Sequence, residues 1–461
     1  MAHKAIRKDI VEDLFGLTPM QEGMLYHYLM NPDSDLYFEQ FSYTLKGKLD
    51  ISACLRAWNW TISQNEMLRS IFRWEEINNP IQIILKERSI SVEVHDLTLL
   101  PEEERHTAQK KITDADRKKY FDLAEGPLFS VTIFKLEEDN YVMSVSNHHI
   151  LFDGWSNGII LGEFIKAYIA YSNGGEPEAV DKPRFKNYLK WFNNQDKAGR
   201  EEFWREYLDG YIFKQSILPD HSELYASEGT ANETRVLSQE LLQKLQCVAK
   251  EEGVTLGTIF TAAWGVLLQK YIERTDVLFG TTVSGRTGNL PGIEKMVGLL
   301  MNTIPVRIKS KQGDSLKDII HKVQHQSQAR QPYEMTSIVE IEAVTNRKTK
   351  GKLFDTLLVI ENYPLDFNMG TDLKLEEFEG HSVTNYSIVL AINNFKETSI
   401  NFIYDQQEFT TDTIVLLCER FIGVLELIAE NRDEILQQIN YFTEIERQMG
   451  YVWDIEFNYS V

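Results

Sequence analysis

Three cysteines in 461 residues, Cys54, Cys247 and Cys418, are too few to form a closed disulfide framework and show neither metal nor redox spacing. They read as reduced packing residues. No uninterrupted apolar run approaches the roughly eighteen residues of a membrane span, and the opening stretch of residues 1–9 has no apolar signal core. Neither a membrane partner nor export is therefore expected, and cytoplasmic residence is the default. Basic residues are in deficit: 48 Lys and Arg face 69 Asp and Glu, a formal net charge of −21 that would repel a phosphate backbone. Nucleic acid is accordingly not expected as a partner, and the basic run at 347–352 reads as a solvated loop. Phosphate loops of the Gly-x4-Gly-Lys-Ser/Thr or Gly-x-Gly-x-x-Gly type are missing, as are a Gly-x-Ser-x-Gly nucleophile elbow and a metal-ligand cluster. What remains is chemistry in which both reactants come from outside and the protein orients them.

What is present is ample core material. A hydrophobic content of 43% with 11% aromatics suffices for two to three domains. The clearest internal break lies at 172–183, where turn formers and charges interrupt the periodic pattern. Before it, apolar spacing predicts helices over 20–29, 51–72 and 101–120 and strands over 81–97 and 128–145. After it, helices are predicted over 197–208, 238–250, 255–271 and 412–431, with strands over 275–283, 303–309, 354–362 and 398–405. In the 255–271 helix, Ile259, Ala263, Val266 and Tyr271 are set for burial. Both halves thus read as α/β, with helices and strands of similar lengths, which suggests an internal duplication.

One short stretch carries chemistry. Residues 147–156 read Asn-His-His-Ile-Leu-Phe-Asp-Gly-Trp-Ser, between a β-branched strand and a helical pattern over 159–171. This places His148 and His149 at a strand-to-helix turn, where local hydrogen bonds can fix an imidazole tautomer as a base near neutral pH requires. From this chain's composition, His-His followed by Asp-Gly at that spacing arises by chance on the order of once per thousand such sequences. The plainer alternative is a core histidine pair beside an Asp-Gly turn.

Further stretches, taken in order, resemble the condensation domains of nonribosomal peptide synthetases over nearly the whole chain. They are Leu-Thr-Pro-Met-Gln-Glu-Gly-Met at 17–24, Asn-Glu-Met-Leu-Arg-Ser-Ile-Phe at 65–72, Phe-Asp-Leu-Ala-Glu-Gly-Pro-Leu at 121–128 and Tyr-Leu-Lys-Trp at 188–191. Gly-Thr-Thr-Val-Ser-Gly-Arg at 280–286, Val-Gly-Leu-Leu-Met-Asn-Thr at 297–303, and Asn385-Tyr386 upstream of Phe-Ile-Tyr-Asp at 402–405 continue the series. The resemblance implies two chloramphenicol acetyltransferase-like α/β lobes in a V-shaped pseudo-dimer with a tunnel between them. Their boundaries would be 1–175 for the lobe with the histidines and 176–450 for the second, with a tunnel-floor loop near 280–303. Residues 451–461 would begin a linker toward an adenylation domain, and the short leader before residue 17 resembles either a docking segment or the edge of an excised piece. Where the family's second motif usually opens Arg-His-Glu, this chain has Gln64-Asn65-Glu66; only the later Arg69 carries over, as a support. The Asp-Gly-Trp-Ser form at 153–156 is similar to the subgroup that takes a D-configured donor.

The implied reaction is attack of an aminoacyl α-amine on a peptidyl thioester. Each substrate is carried on a phosphopantetheine arm supplied by donor and acceptor carrier partners, and the chain binds no cofactor or metal of its own. His149 is the candidate for taking the amine proton or for holding the neutral amine, and His148 is structural support. Asp153 is expected to pair with Arg286, and Gly154 to present an amide to the oxyanion. Trp155 and Ser156 pack and cap the following helix, Trp191 packs within its lobe, and Asn302 and Ser284 belong to the tunnel segment. Three alternatives remain: a coenzyme A-dependent acyltransferase of the same fold, an epimerisation domain, and a non-catalytic docking platform.

Overall fold

A computed structural model describes residues 6–31, 34–213, 217, 229–345, 352–361, 373–394 and 397–439. In chain order the elements begin β1 (Val11–Gly16), α1 (Pro19–Met30), β2 (Phe38–Lys46), α2 (Ile51–Gln64), β3 (Ser70–Arg73), β4 (Ile81–Leu85) and β5 (Val92–Asp96). They continue through α3 (Glu102–Arg117), β6 (Phe129–Glu137), β7 (Asn140–His148), α4 (Gly154–Ser172), α5 (Phe185–Asn193), α6 (Lys197–Tyr207), β8 (Thr230–Val236), α7 (Gln239–Glu252) and α8 (Leu256–Tyr271). Then follow β9 (Asp276–Val283), β10 (Asn302–Lys309), α9 (Leu316–Arg330), α10 (Ile338–Val344), β11 (Thr356–Glu361), β12 (Lys374–Ser382), β13 (Ile388–Asn394), β14 (Thr398–Asp405) and α11 (Thr411–Asn431).

The chain forms two units. The first comprises 1–195 together with 288–301 and 363–385; the second comprises 196–287, 302–362 and 386–461. The expected boundary at 175 is thus too early, for a physical reason. Segment 180–185 is tied to the end of α2: the Val180 amide donates to Gln64 Oε1, Lys182 Nζ donates to Asn65 Oδ1 at 2.7 Å and pairs with Glu163, and the Phe185 amide donates to Glu66. The residues that depart from the family's usual second motif therefore anchor the stretch that looked like a linker. Segment 288–301, expected in the second lobe, also belongs to the first unit, where Trp191 packs so closely over Gly288 that a Cβ there would overlap its ring.

In the first unit a five-stranded sheet runs β12-β2-β7-β6-β5, beside a small sheet β1-β4-β3. The α2 and α4 helices pack against each other, stacking Trp58 on Phe164 with ring centroids 4.2 Å apart. The apolar spacing that predicted one helix over 51–72 breaks at Asn65, where a short 3₁₀ turn leads into β3. Asn65 Nδ2 donates to the Thr61 carbonyl and to Glu163, which satisfies the helix end and lets the backbone turn extended. Likewise the stretch 81–97 is two strands, not one.

The second unit has a six-stranded sheet β10-β9-β11-β13-β14-β8, on which α8 is the most buried helix. Ile259, Ala263 and Val266 are buried in it as expected, with Tyr271 only packed at its margin. Gly265 and Gly280 allow close approach: a Cβ would overlap Ile308 at the first and Phe354 at the second. Among the described residues, no helix is long and apolar enough to cross a membrane. The basic run at 347–352, apart from Lys352, and the expected linker at 451–461 lie outside the described residues.

Candidate active site

The histidine turn is held from three sides within the first unit. β7 ends at His148, whose amide donates to the Leu128 carbonyl, and the His149 amide donates to the Tyr37 carbonyl at 2.8 Å. Tyr37 delivers that carbonyl from a left-handed backbone conformation (φ 65°), a costly geometry for a residue with a Cβ. From below, Gln21 of α1 is fully buried. Its Oε1 accepts from the Thr18 amide as part of the capping box of α1, while its Nε2 donates to the Ile150 carbonyl at 3.0 Å. The opening motif is thereby tied to the histidine turn.

The two imidazoles have opposite electrostatics. His148 is buried between the rings of Tyr28 and Tyr37, and its Nδ1 accepts from the Ile150 amide at 3.1 Å, which puts its proton on Nε2. Burial, and next the neighbouring His149, push its pKa down to about 3, so it is neutral at working pH. His149 keeps 15% of its side chain exposed. Its Nδ1 lies 2.9 Å from the Phe152 carbonyl oxygen and 3.1 Å from Glu39 Oε2. Both neighbours are acceptors, so Nδ1 carries a proton and, in the neutral ring, Nε2 carries the lone pair. Burial pulls the basicity of His149 down. The Glu39 carboxylate, the Phe152 carbonyl and Asp153 outweigh that pull and hold the pKa above the ordinary value.

Asp153 is the N-cap of α4, a place assigned by sequence to Ser156 with Trp155. Its Oδ1 accepts from the Ser156 amide at 2.9 Å, and its Oδ2 accepts from the Leu300 and Met301 amides at 3.0 Å each. The carboxylate therefore pins 298–301 to the turn. Ser156 does not cap; its Oγ accepts from the Gly298 amide and donates to the Gly298 carbonyl. Trp155 donates from Nε1 to the Glu294 carbonyl at 3.0 Å. Gly154 is the first residue of the nineteen-residue α4, at the positive end of its dipole.

Arg69 is a buried support: its Nη1 bonds Glu12 at 2.6 Å and the Leu85 and Lys86 carbonyls, tying the small sheet together. Trp191 packs on Tyr188 as well as over Gly288. Asn302, Ser284 and Arg286 stand in the second unit. Asn302 Nδ2 donates to the Glu334 and Thr336 carbonyls at 2.8 and 2.7 Å, so both its amide hydrogens serve the fold. The Arg286 amide donates to Ser284 Oγ and its Nη1 to the Ser284 carbonyl. Sequence reading missed Glu39 and Gln21. A lone glutamate in a strand gives no signal of its own. Gln21 lies within the opening motif, three residues after Thr18, and that capping-box spacing is the available sign.

Comparison with known proteins gives the family. A family profile described as Condensation domain matches residues 11–449. Tyrocidine synthase 2 of Brevibacillus parabrevis is 32% identical over 447 residues, which are 95% of this chain and 12% of that protein. Surfactin synthase subunit 3 of Bacillus subtilis (strain 168) is 30% identical over 446 residues, 96% of this chain and 35% of that protein. The chain thus spans well under half the length of these relatives. Among solved structures, a mutant of the starter condensation domain of rhizomide synthetase RzmA, in complex with C8-CoA, aligns with TM-score 0.80 at 19% identity, covering 93% of this chain and 97% of that one. The first condensation domain of the calcium-dependent antibiotic synthetase aligns with TM-score 0.78 at 18% identity, covering 94% and 100%. These likenesses support the mixed α/β fold. With a profile matched across most of its length and an ordered histidine turn of the expected type, this chain belongs to the condensation-domain family.

Proposed function

We propose that the protein forms an amide bond in nonribosomal peptide synthesis. The α-amine of an aminoacyl group on one phosphopantetheine arm attacks the thioester carbonyl of a peptidyl group on another, with both arms supplied by carrier partners. The observation that carries this reading is the inward commitment of His149 Nδ1 to the Phe152 carbonyl and Glu39, which leaves Nε2 as the acceptor. As the amine nitrogen bonds to the carbonyl carbon, it becomes cationic and the carbonyl oxygen anionic. The surplus amine proton passes to Nε2, the C–S bond breaks, and the departing thiolate takes up that proton. The first amide of α4, at Gly154, is the group proposed to meet the oxyanion. Because a thioester is already activated, alignment of the two reactants contributes most, on the order of 7–11 kcal/mol in favourable cases.

The donor is proposed to end in a D-residue, by likeness of the 153–156 tetrapeptide to that subgroup. An adjoining adenylation domain is proposed as the source of the acceptor's aminoacyl group. The test mixes the protein with two defined loaded carriers, using D- and L-ended donors in parallel, and follows intact mass. Transfer of the D-ended acyl group onto the acceptor is expected. Equal turnover from acyl-coenzyme A and free amine, without carriers, would replace this reading by a coenzyme A-dependent transferase, and inverted donor without transfer would replace it by an epimerase.

A further inference from the structure

Glu39 sits on β2 directly opposite Asn147 of β7, one residue before His148. A cross-strand pair projects its side chains from the same face, here the face that also carries Tyr43. The Glu39 residue is only 6% exposed, and a carboxylate that buried costs several kcal/mol unless donors meet it. Two donors do. Asn147 Nδ2 reaches Oε2 at 3.0 Å, and His149 Nδ1 reaches the same oxygen at 3.1 Å. The backbone above is fixed as well, since Tyr37, two residues earlier, accepts from the His149 amide. The β2 strand and the turn just before it thus hold the ring and the backbone of His149.

We infer that Glu39 is a positioning residue for amide-bond formation, holding the His149 ring with Nδ1–H inward and Nε2 outward and steadying the imidazolium formed when the substrate amine is deprotonated. The inference rests on the proposed function, and it assigns a task to a residue outside the histidine motif. The Phe152 carbonyl can orient the ring by itself, but it brings no full charge. Among the described residues, Glu39 alone gives the ring an anionic partner at Nδ1. The other groups acting on the ring are His148, neutral and preceding it on the strand, and Asp153, whose oxygens are engaged by three amides. On neighbouring elements stand His27 of α1, which meets the Tyr37 hydroxyl, and Tyr43, beyond Glu39 on β2. His381 of β12, opposite Gln40 and held down to about 4 chiefly by burial, and Asp116 and Arg117 of α3, which meet the Gln40 side chain, complete the surroundings.

The test has two parts. Nitrogen-15 NMR of the imidazoles in the full chain, with the His149 signals assigned by their loss in His149→Gln, is expected to show the Nδ1–H tautomer above the ring's pKa. An Nε2–H tautomer in the unmodified protein would overturn the inference without any variant at Glu39. In Glu39→Gln, the His149 titration is expected to move down by about 1–3 pH units, because the charge that favours the imidazolium is gone. Its kcat for condensation of loaded carriers should fall about 10- to 100-fold with KM for either carrier unchanged. Glu39→Asp, which keeps a carboxylate one methylene further away, should recover part of that loss and leave the titration close to that of the unmodified protein. A uniform fall in rate in Glu39→Gln with an unmoved titration would reduce Glu39 to a structural residue. Absence of transfer by the unmodified protein would sink the proposed function instead.

Discussion

Replacing Asp153 tests what builds the site. Its carboxylate, 2% exposed, accepts three amide hydrogens: Ser156 at the start of α4, and Leu300 and Met301 from a segment about 147 residues further along. In Asp153→Ala the helix loses its N-cap, about 1 kcal/mol. The Leu300 and Met301 amides lose a charged acceptor, about 1–3 kcal/mol each. The sum is roughly 3–7 kcal/mol, a loss concentrated in 298–301 and the first turn of α4. Asp153→Asn keeps one acceptor oxygen and turns an NH₂ toward amides that need an acceptor, so it should recover no more than about half. Because the chain has two units, one global unfolding free energy is not well defined, and amide hydrogen exchange resolved by residue is the better assay. At 1.4 kcal/mol per tenfold, exchange at Leu300 and Met301 should quicken by about 10²–10⁵-fold in Asp153→Ala, with β9 and α8 in the second unit unaffected. Protection at those two amides that stays within a few-fold of the unmodified protein would refute the pin.

Two further predictions concern pH. Glu334, buried and with its carboxyl pushed up to about 7 by that burial, is more easily ionised when unfolded, so it lowers stability as pH rises from about 4.5 to 7. Glu334→Gln should therefore melt at a higher temperature than the unmodified protein above pH 7 and at an indistinguishable one near pH 4; a lower melting temperature at pH 8 would contradict this. Glu252, at the end of α7, receives Arg432, His321 and Lys317 at 2.7, 2.9 and 3.1 Å, and against the cost of burial they bring its pKa down to about 2. Its contribution is complete above the unfolded value near 4.5 and lost as pH falls through about 2. Glu252→Gln is expected to cost ~2 kcal/mol at pH 7, allowing for the exposure of Lys317 and His321, with the gap to the unmodified protein closing in acid. A gap that stays constant down to pH 2 would assign the effect to packing.

The histidine turn was legible because its parts are contiguous: a strand, two histidines and an Asp-Gly that opens a helix all fall within 140–172. The role of Asp153 was legible only in part, since it accepts from the Leu300 and Met301 amides, which no local pattern connects to it. Glu39 gave no signal because its importance comes from register, facing Asn147 across a strand pair. The helix predicted over 51–72 overran because Met67, Leu68, Ile71 and Phe72 keep an apolar rhythm beyond Asn65, although they are buried in a 3₁₀ turn and a strand. The strand β2, with Phe38, Gln40, Tyr43 and Leu45 buried, escaped notice because polar residues are mixed into both faces. The domain boundary was misplaced because the Gly- and Pro-bearing stretch 172–183 looks free in sequence, whereas Lys182 is drawn onto Glu163 and Asn65. In each case the missing knowledge was a partner distant in the chain.

The central claim is that His149 Nε2 takes the proton of the attacking amine. Its most direct test is the single-turnover rate of transfer between two loaded carriers, followed by intact mass, for the unmodified protein and for His149→Ala shown to melt at a similar temperature. The variant is expected to lose about 10²–10⁴-fold in rate. A folded His149→Ala that makes product at nearly the unmodified rate would contradict it.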